Sequence, residues 1–313
     1  LVQYPRPGTW TIAFVTGQTG KGEVSIPAAR PVTVEESELL DDLRLARSFA
    51  MGGTTHDFAI GFYYAHIDET FERYSASTLQ DVSGNSRLLD LFAVNAAGTV
   101  IGAATQNGVV RYGSEFANGS GWQDTFAIYA TDEWQITDAL RIDGGIRWEQ
   151  VNTEGAQEGS RTVNLGDPTT LADDTVLTGN DVFTRFDRSF DRIGFTVGAD
   201  SQFAREGGVF ARYTSASRLP SVGSFITSAT ATPVTQGIDM WEAGLKLATP
   251  LVSFYATAFL TDFDSYSIGN FMFAPPPATG VIQQTVYTDT RAYGVEFEGS
   301  VRPARWFDFT VQA

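Results

Sequence analysis

The chain has 313 residues, enough to bury a large core in one domain or in two. Aromatic residues make up 13% of it, and 31 Gly stand beside only 3 Met and no Cys, which favours strands and turns over a helical bundle. The lack of Cys excludes disulfides, thiol catalysis and Cys-ligated metal centres, and a formal net charge of -16 argues against nucleic acid as a partner.

Apolar and polar residues alternate with a period of two along most of the chain, which predicts β-strands with one apolar and one polar face. In the segment 140–150, for example, Ile142 and Ile146 alternate with Arg141 and Arg147. The predicted strands, in chain order, are 43–51, 54–67, 124–136, 139–151, 190–204, 207–217, 239–248, 251–264, 287–302 and 305–313. A further strand around 10–15 lies in Pro-rich surroundings, and no helix is predicted.

The connections between the predicted strands alternate between tight turns and long polar stretches. The tight turns are predicted at Gly52-Gly53, Thr137-Asp138, Glu206-Gly207-Gly208, Thr249-Pro250 and Pro303-Ala304. The long stretches are 68–123, 152–189, 218–238 and 265–286. This segregation is typical of outer-membrane barrels, in which a tilted strand of about 9 to 11 residues crosses the bilayer.

Aromatic residues gather near the predicted strand ends and suggest an interfacial girdle, although they could equally cap a soluble core; they are Trp134, Trp148, Trp241 and Trp306. Asp132 shares the parity of apolar neighbours and would face lipid, but it lies close to a tight turn, where such a charge costs less. His56 and His66 are about 33 Å apart along one predicted strand. They are therefore too distant to share a metal, and each is predicted to lie at an interface.

Four segments resemble, in the expected order, the barrel domain of TonB-dependent receptors. They are FAIYATDEWQITDALRIDGGIRWE (126–149), FARYTSASRLPSVGSF (210–225), MWEAGLKLATPLVSFYATAFLTDFDSYS (240–267) and RAYGVEFEGSVRPARWFDFTVQA (291–313). The resemblance implies an all-β fold, an antiparallel transmembrane β-barrel. About ten strands of a 22-stranded barrel would lie within residues 1–313, without the plug domain or a TonB box.

Charged residues on the polar parity of the strands are candidates for lining a substrate path. They include Arg141, Arg147, Arg212, Glu296 and Glu298. The alternative is that they only keep the barrel interior hydrated. No catalytic set, cofactor site or metal site is predicted, and the Gly-rich stretch 16–23 lacks the residues and context of a phosphate loop.

The acidic loop between the fourth and fifth predicted strands leaves two interpretations open. It carries Asp167, Asp173, Asp174 and Asp181, whose oxygens could bind Ca²⁺, although their spacing does not match an EF-hand. The other interpretation is a solvated extracellular loop.

The resemblance implies a receptor of the Gram-negative outer membrane that takes up a scarce small molecule, most commonly an iron-siderophore complex. Its partners would be membrane lipid, lipopolysaccharide, and TonB acting through a plug. Two other functions stay open, namely a passive porin-like or structural outer-membrane barrel and a soluble extracellular β-sandwich binding module. An enzyme is not expected.

Overall fold

The computed structural model describes residues 11–14, 32–78, 88–273 and 281–313. A short helix and thirteen strands lie within these residues. In chain order they are β1 (Thr11–Phe14), β2 (Val32–Met51), β3 (Thr54–Thr78), β4 (Leu91–Val94), β5 (Val100–Ala103), β6 (Val109–Thr137), β7 (Leu140–Val163), β8 (Val176–Ala204), β9 (Gly207–Arg218), α1 (Gly223–Ile226), β10 (Gln236–Ala248), β11 (Val252–Phe273), β12 (Val281–Ala304) and β13 (Phe307–Gln312).

Ten of the strands form one continuous antiparallel sheet with the order β2-β3-β6-β7-β8-β9-β10-β11-β12-β13. The strands β1, β4 and β5 form a separate small sheet, and β4 and β5 belong to the connection between β3 and β6. The ten long strands make a single layer, so the β-sandwich alternative is not the observed architecture. In the described residues, β2 and β13 each pair with one neighbour and form the two edges of the sheet.

All ten predicted strands are present, and the tight turns lie within two residues of their predicted positions. The turn between β2 and β3 has Gly52 and Gly53 at φ +62° and +85°. A two-residue hairpin turn with positive φ at both positions follows the natural twist of its strands, and Gly adopts this conformation without steric cost. The period-two pattern and the turn residues are therefore sufficient to predict this part of the fold.

The strands are much longer than predicted at the end away from the tight turns. β6 and β8 each have 29 residues and β3 has 25. Most of the stretches 68–123 and 152–189 is therefore strand, and their prediction as long loops is wrong. The backbone pairing continues beyond the predicted strand ends, where the alternation on which the prediction depends is lost.

The two faces of the sheet are packed in the opposite way to a soluble protein. Large apolar side chains on one face, which we call the outer face, are exposed, as are Ile128 (54%), Ile146 (54%) and Ile193 (58%). On the other, the inner face, small residues such as Ala59 and Ala127 are buried, each 1% exposed. Exposed apolar bands of this kind require a nonaqueous neighbour. Among the described residues, no helix has the length and hydropathy needed to cross a membrane.

Candidate functional site

The five predicted path residues all lie on the inner face, because they share the strand parity of the residues packed there. The three arginines each contact a carboxylate, and a lysine farther along the sheet does the same. The pairs are Arg141–Glu133 (3.2 Å), Arg147–Glu149 (2.6 Å), Arg212–Asp143 (2.8 Å) and Lys246–Asp200 (3.1 Å). Pairs as exposed as these contribute about 0 to 1 kcal/mol each. At these positions the inner face carries paired positive and negative charges.

Glu296 and Glu298 lie apart from these arginines. Both are on β12, three strands beyond Arg212 on β9. Neither has an ion-pair partner in the described ranges, and Glu298 lies opposite Tyr255 on one side and Gln312 on the other. The structure therefore places the five residues along the inner face and does not gather them into one site.

Aromatic rings on the inner face lie over glycines of the neighbouring strand. A Cβ atom at Gly61 would be 2.2 Å from the ring of Tyr129, and one at Gly244 would be 2.3 Å from the ring of Phe210. Phe259 covers Gly294 in the same way, at 2.9 Å. Rings that cover a glycine shield its backbone and fix the strand register. The inner face is therefore covered by aromatic rings at these three glycines.

The connection between β9 and β10 does not extend away from the sheet but folds onto its inner face. We call residues 219–235 the shelf. Its short helix α1 contacts β7, β6 and β3, although the shelf begins at the end of β9. Strands lie about 4.8 Å apart, so the shelf crosses about 19 Å of the inner face.

A small buried core attaches the shelf to the sheet. Phe225 and Ile226 of α1 are fully buried against Phe186 of β8, and the rings of Phe186 and Phe225 stack at 5.4 Å. Val222 and Ala229 complete the cluster. Burial of several large apolar side chains contributes about 1.5 to 3 kcal/mol for each, so the shelf is held as a folded element.

Three glycines form the surface on which the shelf rests. A Cβ atom at Gly119 would lie 2.0 Å from the carbonyl oxygen of Ile226, and one at Gly121 would lie 2.9 Å from the side chain of Val222. At Gly155 it would lie 2.5 Å from the Phe186 ring. At Gly119 the backbone of the shelf can approach the sheet this closely only because the position lacks a side chain. Gly121 and Gly155 leave room for the side chain of Val222 and for the Phe186 ring on which the shelf packs.

Two glutamines of the sheet bind the backbone of the shelf. Gln123 accepts a hydrogen bond from the amide of Val222 (2.9 Å). Gln157 accepts one from the amide of Ala229 (3.0 Å) and donates one to the carbonyl of Thr227 (2.9 Å). Buried backbone groups need such partners. The shelf is not predicted from the sequence, and its one local signal is the Gly-x-Gly spacing of Gly119 and Gly121 within β6.

On the outer face, the charged residue Asp132 has a histidine partner. Its carboxylate lies 2.7 Å from Nδ1 of His56, and the imidazole is stacked between Phe49 (5.2 Å) and Trp134 (5.5 Å). The charge on the outer face is thus paired and flanked by aromatic rings close to the tight turns. A second pair lies ten residues farther along β3, where Asp124 lies 2.8 Å from His66.

The two His–Asp pairs bracket an apolar band. Ten residues along a strand span about 33 Å, or about 25 Å perpendicular to the membrane at a tilt of about 40°. The apolar band of outer-membrane barrels is about 25 Å tall. Between the pairs, β3 presents Phe58, Ile60 and Phe62 on the outer face. The position of both histidines at membrane interfaces stays a prediction, and the spacing of the pairs fits the height of such a band.

The acidic loop between β7 and β8 uses its carboxylates as acceptors for its own donors. Asp173 is buried and accepts a hydrogen bond from the amide of Asp167 (2.8 Å). The hydroxyl and the amide of Thr169 donate to Asp167 and hold the pKa of its carboxyl below the usual value. No group of three or more potential metal-ligating side chains lies together in the described ranges, so the calcium interpretation gains no support.

Comparison with known proteins gives a consistent result. Residues 14–313 match the family described as TonB dependent receptor-like, beta-barrel. The catecholate siderophore receptor Fiu of Escherichia coli K12 is 26% identical over 204 residues, which are 61% of this chain and 23% of that receptor. Fiu of Escherichia coli O157:H7 is 31% identical over 136 residues, 40% of this chain and 15% of the receptor. The matched part of this chain thus spans less than a quarter of these relatives.

Solved structures show the same fold. The closed form of the ferric-catecholate import receptor Fiu from Escherichia coli K12 aligns with a TM-score of 0.56 at 22% identity, over 89% of this chain and 38% of that one. The siderophore receptor PiuA from Acinetobacter baumannii aligns with a TM-score of 0.56 at 13% identity, over 88% and 37% of the two chains. At these identities the likeness concerns the fold alone.

Proposed function

Because the chain belongs to the TonB-dependent receptor β-barrel family, we propose that it forms part of the wall of an outer-membrane receptor that takes up a scarce ligand. This family consists of outer-membrane transport receptors and not of enzymes. The proposal extends this role to the present chain, in which the sequence offers no catalytic set.

The observation that carries the proposal is the contrast between the two faces of the sheet. The outer face presents an exposed apolar band bracketed by two His–Asp pairs. The inner face carries balanced ion pairs and a shelf that crosses it. A wall with lipid on one side and a hydrated path on the other requires this arrangement.

The proposed cargo is iron bound to a siderophore, with the catecholate class as the first choice. Support comes from the relatives at 26% and 31% identity, both of which are catecholate siderophore receptors. Within the chain, the inner face supplies fixed charges and aromatic rings but no resident metal site in the described residues.

The proposed partners follow from the same arrangement. Lipid and lipopolysaccharide would cover the outer face. TonB would act through a plug domain, and the inner face of the sheet would surround this plug. Coupling to TonB separates this function from a passive porin-like barrel, which would need no energy.

Uptake of radioactive iron by iron-limited cells tests the proposal. Cells that carry the complete receptor gene as their sole route for a ferric catecholate should accumulate iron, and cells that also lack TonB should not. Equal uptake with and without TonB would favour the passive barrel, and no uptake in either strain would remove ferric catecholate as the cargo.

A further inference from the structure

A cavity of about 420 Å³ lies between the shelf and the extended ends of β9 to β12. Its volume falls within the range of small-molecule sites, about 300 to 1,000 Å³. The shelf forms one wall from residues 219–221, Ser224 and residues 231–234, and the strands form the other. The cavity is therefore a feature of the shelf in its docked position.

The lining of this cavity is unusual for so acidic a chain. Arg218 is the only charged residue among the thirteen that line it, and no Asp or Glu is among them. The chain as a whole has 37 Asp and Glu against 21 Lys and Arg. Unlike Arg141, Arg147 and Arg212, Arg218 has no ion-pair partner in the part of the chain that the structure describes. Its charge remains available to an incoming group.

Six of the other lining residues carry hydroxyl groups. They are Ser221, Ser224, Thr232, Ser267, Thr285 and Tyr287. Hydroxyls can donate to oxygen acceptors, and Arg offers a planar set of donors to an oxyanion. A neighbouring cavity shows the contrast, because it contains Arg291 already bound to Asp262 (2.5 Å) and is also lined by Asp239, Asp264 and Asp289.

Several contacts preform the cavity. Gln236 donates a hydrogen bond to the hydroxyl of Ser267 (2.8 Å) and joins β10 to β11 at its edge. The shelf wall contains Pro220 and Pro233, which restrict its backbone, and the buried core beneath α1 fixes its position. A preformed wall lowers the entropy cost of binding.

We infer that this cavity is a binding site for a small anionic ligand rich in oxygen acceptors, with Arg218 as its charged contact. The inference rests on the proposed function where it takes a ferric complex as the ligand, and it assigns the first contact of that ligand to the rim formed by the shelf. The bound anion replaces water at Arg218 and accepts hydrogen bonds from the surrounding hydroxyls.

Binding to the complete receptor in detergent tests this site with three probes. Ferric catecholate and ferric citrate are anionic, and a ferric trihydroxamate is uncharged. Arg218→Gln should weaken the binding of whichever anionic probe the receptor binds by about tenfold or more, because a charge-assisted hydrogen bond is lost. Arg161→Gln is the matched control, since Arg161 is exposed on the extended part of β7 and does not line the cavity.

The possible outcomes test the binding site and the identity of the cargo independently. Weaker binding by Arg218→Gln, with Arg161→Gln and the heat-modifiable gel shift unchanged, supports the site. If only ferric citrate binds and depends on Arg218, the site stands and the catecholate proposal fails. If an anionic probe binds equally to the receptor and to both variants, or if neither anionic probe binds, the inference is overturned even where iron uptake through TonB persists.

Discussion

At the residue scale, the pair of His56 and Asp132 shows how a charge is accommodated on a lipid-facing surface. Asp132 has the parity of apolar outer-face residues, and its side chain is 36% exposed. His56, 8% exposed and stacked between Phe49 and Trp134, supplies a hydrogen-bonding partner at 2.7 Å. The aromatic rings hold the imidazole in place and restrict the access of lipid to the pair.

Removal of one partner should therefore cost more than removal of both. His56→Ala leaves the Asp132 carboxylate without its partner and should destabilise the folded barrel by about 1 to 3 kcal/mol. The double variant with Asp132→Ala should recover part of this loss. Denaturant unfolding of the complete receptor in lipid measures both, and additive losses in the double-mutant cycle would show that the two side chains do not interact.

Adjacent residues of β7 should respond differently to substitution. Ile146→Arg places a charge on the outer face and should destabilise the barrel by about 2 to 4 kcal/mol. Arg147→Ala removes a half-exposed pair with Glu149 on the inner face and should cost about 1 kcal/mol or less. Unfolding of the complete receptor in lipid vesicles compares them, and equal losses would contradict the assignment of the faces.

At the scale of elements, the sequence predicts what depends on local patterns and misses what depends on contacts between distant segments. The ten strands follow from alternation, and the turn at Gly52 and Gly53 follows from its residues. Residues 109–123 of β6 and the helix α1 do not, because their sequence does not alternate and their packing depends on contacts between the shelf and the sheet. The outer and inner parity of Ile146 and Arg147 could be predicted, whereas the shelf and its cavity could not.

The shelf depends on the absence of a side chain beneath it. Gly119→Ala should displace the shelf, because the new Cβ would lie 2.0 Å from the carbonyl of Ile226. A maleimide probe should then label Thr153→Cys at least tenfold faster from outside the cell, since Thr153 is 1% exposed on the inner face near α1.

Gly144→Ala is the matched control for the shelf variant. It lies in the same sheet, and its new Cβ would meet only the carbonyl of Thr196 at an ordinary 3.5 Å. In this variant, Thr153→Cys should be labelled at the same rate as in the receptor that keeps both Gly119 and Gly144. If Gly119→Ala and Gly144→Ala label equally, the shelf does not rest on the glycine surface.

At the scale of the whole molecule, the part of the sheet that the structure describes has two edges, β2 and β13, and unpaired backbone groups in lipid cost several kcal/mol each. We therefore expect further strands of the same receptor to pair with these edges. The complete receptor should show the gel shift of a closed barrel before heating, and residues 1–313 alone should not. A gel shift by the isolated segment would indicate that its ten strands close on themselves.

The central claim is that one face of this sheet meets lipid and the other meets water. Spin labels at successive positions 141 to 150 of the complete receptor in vesicles test it most directly. Accessibility to oxygen should peak at even positions, such as Ile142 and Ile146, and accessibility to a water-soluble nickel complex should peak at odd positions, such as Arg141 and Arg147. Accessibility without a period of two, or with the two parities exchanged, would contradict the account.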